Sequence, residues 1–90
     1  MIKFKYNDEK NSRLLLKRGI GFEEIIQSIA DGNLLGTTVH HNLEKYHNRH
    51  ILYVRVLSEV YAVPYLKEDE ETIFLKTLYP SRKARKNFLV

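Results

Sequence analysis

The chain contains no cysteine in its 90 residues. That excludes a disulfide framework, a thiolate zinc centre and a cysteine nucleophile, and it is compatible with a reducing compartment. Acids are missing from one end: no Asp or Glu follows Glu71, whereas five Lys or Arg do. No apolar run reaches membrane-spanning length, and the opening MIKFKYNDEK carries charges where a secretory signal needs its apolar core. A cytoplasmic protein with no membrane partner is expected. No glycine-rich phosphate loop, serine-nucleophile motif or glycosidase-type acid pair stands out, which speaks against a conventional hydrolase or nucleotide-binding enzyme.

What is present fits one small soluble domain, with 43% apolar and 29% charged residues. The formal charge of +4 and a pI near 9.4 make a polyanion a reasonable first partner to consider. There is no internal repeat, low-complexity tract or linker to suggest a second domain.

Read in order, Ile2, Phe4 and Tyr6 alternate with Lys3 and Lys5, the period of a strand with one buried face. Asn7 or Asp8 then caps a helix over about Asp8–Arg18, with Asp8 and Glu9 at its start, Lys17 and Arg18 at its end, and Gly19 as its stop. A second helix is expected over Phe22–Asp31, with Phe22, Ile25, Ile26, Ile29 and Ala30 at helical spacing and Gly32 ending it. Four strands follow, over Leu34–Val39, Ile51–Leu57, Val60–Leu66 and Thr72–Tyr79, with turns at Ser58-Glu59 and Lys67–Glu71. Pro64 inside the third of these implies an edge or a bulge. The expected fold is α+β, in the order β-α-α-β-β-β-β-α: an antiparallel meander packed by two N-terminal helices and closed by a short basic helix.

Two sets of residues are candidates for chemistry. All four histidines, His40, His41, His47 and His50, fall within eleven residues. Imidazole is a zinc ligand and a proton carrier near neutral pH, but this spacing matches no zinc motif, so acid–base work, RNA contact and a solvated loop all stay open. The second set is basic: Lys17 and Arg18, Arg49 and Arg55, then Lys76, Arg82, Lys83, Arg85 and Lys86. A strand that delivers such cations to one end of a sheet forms an anion site if they converge, and a solvated helical face if they do not. Tyr79, beside the basic turn, is a candidate to stack on an unpaired base.

Two segments resemble the BrnT toxins, a branch of the RelE/ParE-like group. In Tyr6–Glu24, Lys10, Asn11, Lys17, Gly19, Ile20, Phe22, Glu23 and Glu24 match the family's N-terminal pattern; in Tyr79–Arg85, Arg82, Lys83 and Ala84 match its closing run. This chain has Tyr6 where the family has Trp, Arg18 where it has His, and Leu14 where it has Asn.

The resemblance implies a compact RelE-like fold and the toxin of a type II toxin–antitoxin system. Such a protein is an endoribonuclease that inhibits translation, and a DNA-binding antitoxin, often of ribbon-helix-helix type, neutralises it and binds the operator. A two-fold heterotetramer is the expected complex. Cleavage by 2′-hydroxyl attack needs no metal or other cofactor, only cations on the scissile phosphate and a group that moves protons. On that reading Arg82 with Lys76 and Lys83 holds the phosphate, and His40, His41 or His50 acts as acid or base. Lys17, Arg18, Arg49, Arg55 and Arg85 contact RNA, and Tyr79 stacks. The competing reading is a non-catalytic RNA-binding or antitoxin-partner module, because binding and cleaving a phosphate use the same cations.

Overall fold

Asn7 begins the first helix by local chemistry alone. In the computed structural model, which describes residues 2–39 and 49–88, its side chain accepts the Lys10 N–H at 2.8 Å and caps α1, Asp8–Arg18. Asp8 and Glu9 lie in the first turn, Lys17 and Arg18 in the last, and Gly19 closes the helix with φ +73°, donating to the Leu15 carbonyl.

The joint to α2, Phe22–Ala30, is held by side chains. The Phe22 N–H donates to Asn11 Oδ1 at 2.8 Å and the Gly21 N–H to Glu24 Oε2 at 3.2 Å, so two orphan donors of the helix start are satisfied. Tyr6 Oη donates to Glu23 at 3.3 Å, and its ring stacks on Phe22 at 5.1 Å. Asn11, Gly19, Ile20, Phe22 and Glu24, all in the first family-like segment, therefore account for themselves as the clamp between two helices.

Preceding and following these helices are strands β1 (Lys3–Tyr6), β2 (Leu34–Val39), β3 (Arg49–Val56), β4 (Glu59–Lys67), β5 (Thr72–Leu75) and β6 (Tyr79–Pro80), and the chain then enters α3, Arg82–Phe88. The sheet order is β1-β5-β4-β3-β2, with β6 also on β4. β2 to β5 form the expected antiparallel meander, but β1 pairs in parallel with β5, so the sheet is mixed. The turn between β3 and β4 is Leu57-Ser58 rather than Ser58-Glu59, and the second helix ends one residue early, at Ala30.

The expected single strand Thr72–Tyr79 is broken. Leu75 stands opposite Tyr65 and Tyr79 opposite Ala62, so Lys76, Thr77 and Leu78 span only Val63 and Pro64. This is a β-bulge, an extra residue that resets the alternation. Pro64 lies not at an edge but on the central strand; its carbonyl accepts the Lys76 N–H at 2.9 Å, and the N–H it lacks faces the same neighbour, where the ladder is interrupted.

The two faces of the sheet carry different layers. Leu52, Val54, Val63, Leu75 and Leu78 pack with Leu14, Ile20, Phe22 and Ile25 of the α1–α2 layer to form the main core. By alternation, Tyr53, Arg55, Val60 and Ala62 belong to the opposite face. There α3 covers fully buried Val60 and nearly buried Ala62 with its own buried Ala84, while the Phe88 ring lies 5.6 Å from that of Tyr53. Phe88 also approaches Gly36, where a Cβ would meet its ring at 3.3 Å.

Candidate nucleic-acid interface

The basic helix is oriented by its few apolar residues. Ala84 and Phe88, four apart, turn toward the sheet, which leaves Arg82, Lys83, Arg85 and Lys86 exposed. Ser81 anchors the start: its Oγ accepts the Ala84 N–H at 3.2 Å, and its own N–H donates to the Val60 carbonyl at 2.8 Å. Pro80, just before it, stands opposite Tyr61 at the end of β6.

Between α3 and the β3–β4 hairpin lies a shallow groove of about 1370 Å³. Arg82, Lys83, Arg85 and Lys86 line it from the helix, and Arg55 lines it from the sheet beside Ser58 and Glu59. Arg55 Nε donates to the Leu57 carbonyl at 2.9 Å, so its guanidinium is tied to the hairpin corner. Leu57 itself has φ +57°, a left-handed conformation costly for a leucine, and is 87% exposed.

None of these five cations forms an ion pair with a described acid; a pair among the described residues is Lys5 with Glu68, at 3.5 Å, elsewhere on the sheet. Glu59 is the acid that lines the groove, yet it stands opposite Val56 in the register, on the α1–α2 face. The groove thus concentrates positive potential in guanidinium and ammonium groups suited to phosphate oxygens, by bidentate forks where Arg is used.

The site residues expected from sequence divide into groups. Arg55, Arg82, Lys83 and Arg85 converge on the groove. Lys76 and Tyr79 share the face of the sheet that carries α3 but do not line the groove. Lys17 and Arg18 do not join them, because they end α1 in the layer on the other face. Arg49 opens β3 opposite Leu66, six residues or about 20 Å along the strand from Arg55, and its side chain lies outside the described residues.

His50 does not meet Arg82. It pairs with Tyr65, their rings stack at 5.4 Å, and Tyr65 belongs with the main core, so His50 sits on the α1–α2 face. His40 and His41, with His47, lie outside the described residues. Burial raises the pKa of the Tyr65 phenol, which favours its neutral form. Among the described residues, no group of three or more His, Asp or Glu is arranged to hold a metal ion, and no helix is long and apolar enough to cross a membrane.

Lys86, in the basic set read from the sequence, lines the groove as well. Phe88 was not among the residues expected there; its signal is the four-residue spacing from Ala84, which marks the inward stripe of the helix. No family model, curated protein or solved structure matches the chain.

Proposed function

We propose that the protein binds RNA through its phosphates in the α3 groove, as the endoribonuclease toxin of a toxin–antitoxin pair with a RelE-like fold. The observation that carries the binding half is the convergence of Arg55, Arg82, Lys83, Arg85 and Lys86 on one groove with no acid paired to them among the described residues. Cations already paired with carboxylates are poor ligands for a polyanion; these five have no such partner among the described residues. The toxin assignment rests on the two sequence segments that resemble BrnT. A cognate antitoxin, of ribbon-helix-helix type, would cover this basic surface, and size-exclusion of the co-expressed pair as a two-fold heterotetramer tests that arrangement.

A second reading has an observation in its favour. No histidine among the described residues lines the groove, and its acid, Glu59, is in register with the other face. Cations alone bind a phosphodiester and stabilise its charge, but 2′-hydroxyl attack also needs a proton acceptor. Without one, the protein is a non-catalytic RNA-binding or antitoxin-partner module.

Incubating the purified protein with total RNA in EDTA separates the two. Discrete cleavage that disappears in R82A/K83A supports the ribonuclease. Binding without cleavage supports the module. Absence of both binding and cleavage overturns RNA binding in both readings and leaves only the antitoxin-partner role.

A further inference from the structure

We propose that the strip Phe74–Lys76–Tyr79 is a second part of the same site, which takes the unpaired bases of single-stranded RNA while the groove holds its phosphates. The inference rests on the RNA-binding reading and adds the form of RNA and the side chains that read that form.

The bulge is what assembles the strip. Phe74 pairs with Leu66 and with Lys5, on the face opposite the main core, and Lys76 follows two residues later on the same face. In a regular strand Tyr79, three residues beyond Lys76, would point the other way. The extra residue opposite Val63 and Pro64 brings Tyr79 opposite Ala62 instead, onto the face that carries α3. Bulges re-aim side chains at functional sites, and here the result is an aromatic, a cation and an aromatic in succession along one face.

The strip leads into the groove. Tyr79 is 39% exposed, and Phe74 and Lys76 are half-buried, so parts of all three reach solvent. Only Pro80 and Ser81 separate Tyr79 from Arg82, the first groove cation on α3. Phe74 and Lys76, same-face neighbours, lie about 6.6 Å apart, a spacing that matches successive splayed bases of an extended strand, and Tyr79 follows them beyond the bulge. Aromatic faces accept any base but only an unstacked one, so duplex RNA presents its phosphates to the groove and nothing to the strip.

The test uses the full chain in EDTA with three fluorescent probes: a twelve-nucleotide single-stranded RNA, the same sequence as a duplex, and inorganic polyphosphate. Wild-type protein is expected to bind the single strand at least tenfold more tightly than the duplex. Y79A should weaken the single strand roughly tenfold, as loss of one stacked base does. It should leave polyphosphate binding unchanged, and Y79W should restore the single strand. Since Tyr79 is partly exposed, circular dichroism of Y79A serves as the folding control. Equal affinity of wild type for single strand and duplex, or Y79A weakening polyphosphate as much as RNA, overturns the strip. Tight polyphosphate binding with no RNA binding of either form overturns the RNA reading itself and the strip with it.

Discussion

Lys76 and Tyr79 are three residues apart and face the same side of the sheet, because Lys76, Thr77 and Leu78 span only two residues of β4. The same extra residue lets Leu75 and Leu78 both enter the core, at 0% and 1% exposure. Leu78→Ala truncates the leucine that the extra residue brings inward. We expect a loss of about 2–5 kcal/mol, the usual cost of truncating a buried leucine, seen as a lower urea midpoint. An unchanged midpoint would mean that the bulge does not bring Leu78 into the core.

The α1–α2 clamp gives a second prediction. Asn11→Ala removes the acceptor for the Phe22 N–H, in a residue that is fully buried, and should destabilise the fold by about 1–3 kcal/mol. Gly21→Ala should also destabilise it, because the new Cβ would lie 2.5 Å from Asn11 Oδ1. The two changes act on one contact, so the double variant should fall short of additive. Thermal melts of the four proteins decide it.

Leu57→Gly should do the opposite. Leu57 holds φ +57° and is 87% exposed, so its side chain gives little to the core while its backbone carries the cost of the left-handed region. Glycine relieves about 1 kcal/mol of that cost, less part of the entropy that glycine adds to the unfolded chain. A stability no higher than wild type would mean that Leu57 makes a contact offsetting its backbone.

Asp69 supplies the pH dependence. Its carboxylate accepts the Glu71 N–H at 2.8 Å; that bond first, then the Thr72 hydroxyl, holds its pKa below the usual carboxylate range. A depressed folded pKa stabilises the protein above the unfolded value, about 3.9 for Asp, and the contribution fades as pH falls through the folded pKa. D69A should therefore be less stable than wild type at neutral pH and converge with it in strong acid. A gap that stays constant down to pH 2 would contradict this assignment.

Local signals were legible in the sequence. Asn7, the acids after it and Gly19 bound α1 because capping and φ are set within a turn, and the helical spacing from Phe22 with Gly32 beyond it marks α2. The parallel pairing of β1 with β5 was not legible, since nothing in Lys3–Tyr6 names its distant partner. The bulge left a trace, two core leucines three apart near Pro64, which strand periodicity alone does not resolve. The cations of α3 were evident as residues. That His50 stands on the opposite face depended on two facts absent from the local sequence: its pairing with Tyr65, and the packing of Phe88 against Tyr53.

The central claim is that the α3 groove grips an RNA backbone, and the salt dependence of binding tests it most directly. Affinity for a single-stranded RNA in EDTA should fall with salt along a log–log slope of about −0.7 per phosphate contacted. The triple variant R82A/K83A/R85A, altered only at exposed positions, should bind far more weakly and with a slope shallower by about 2. Unchanged affinity and slope in a folded triple variant would show that the RNA is held elsewhere, or not held at all.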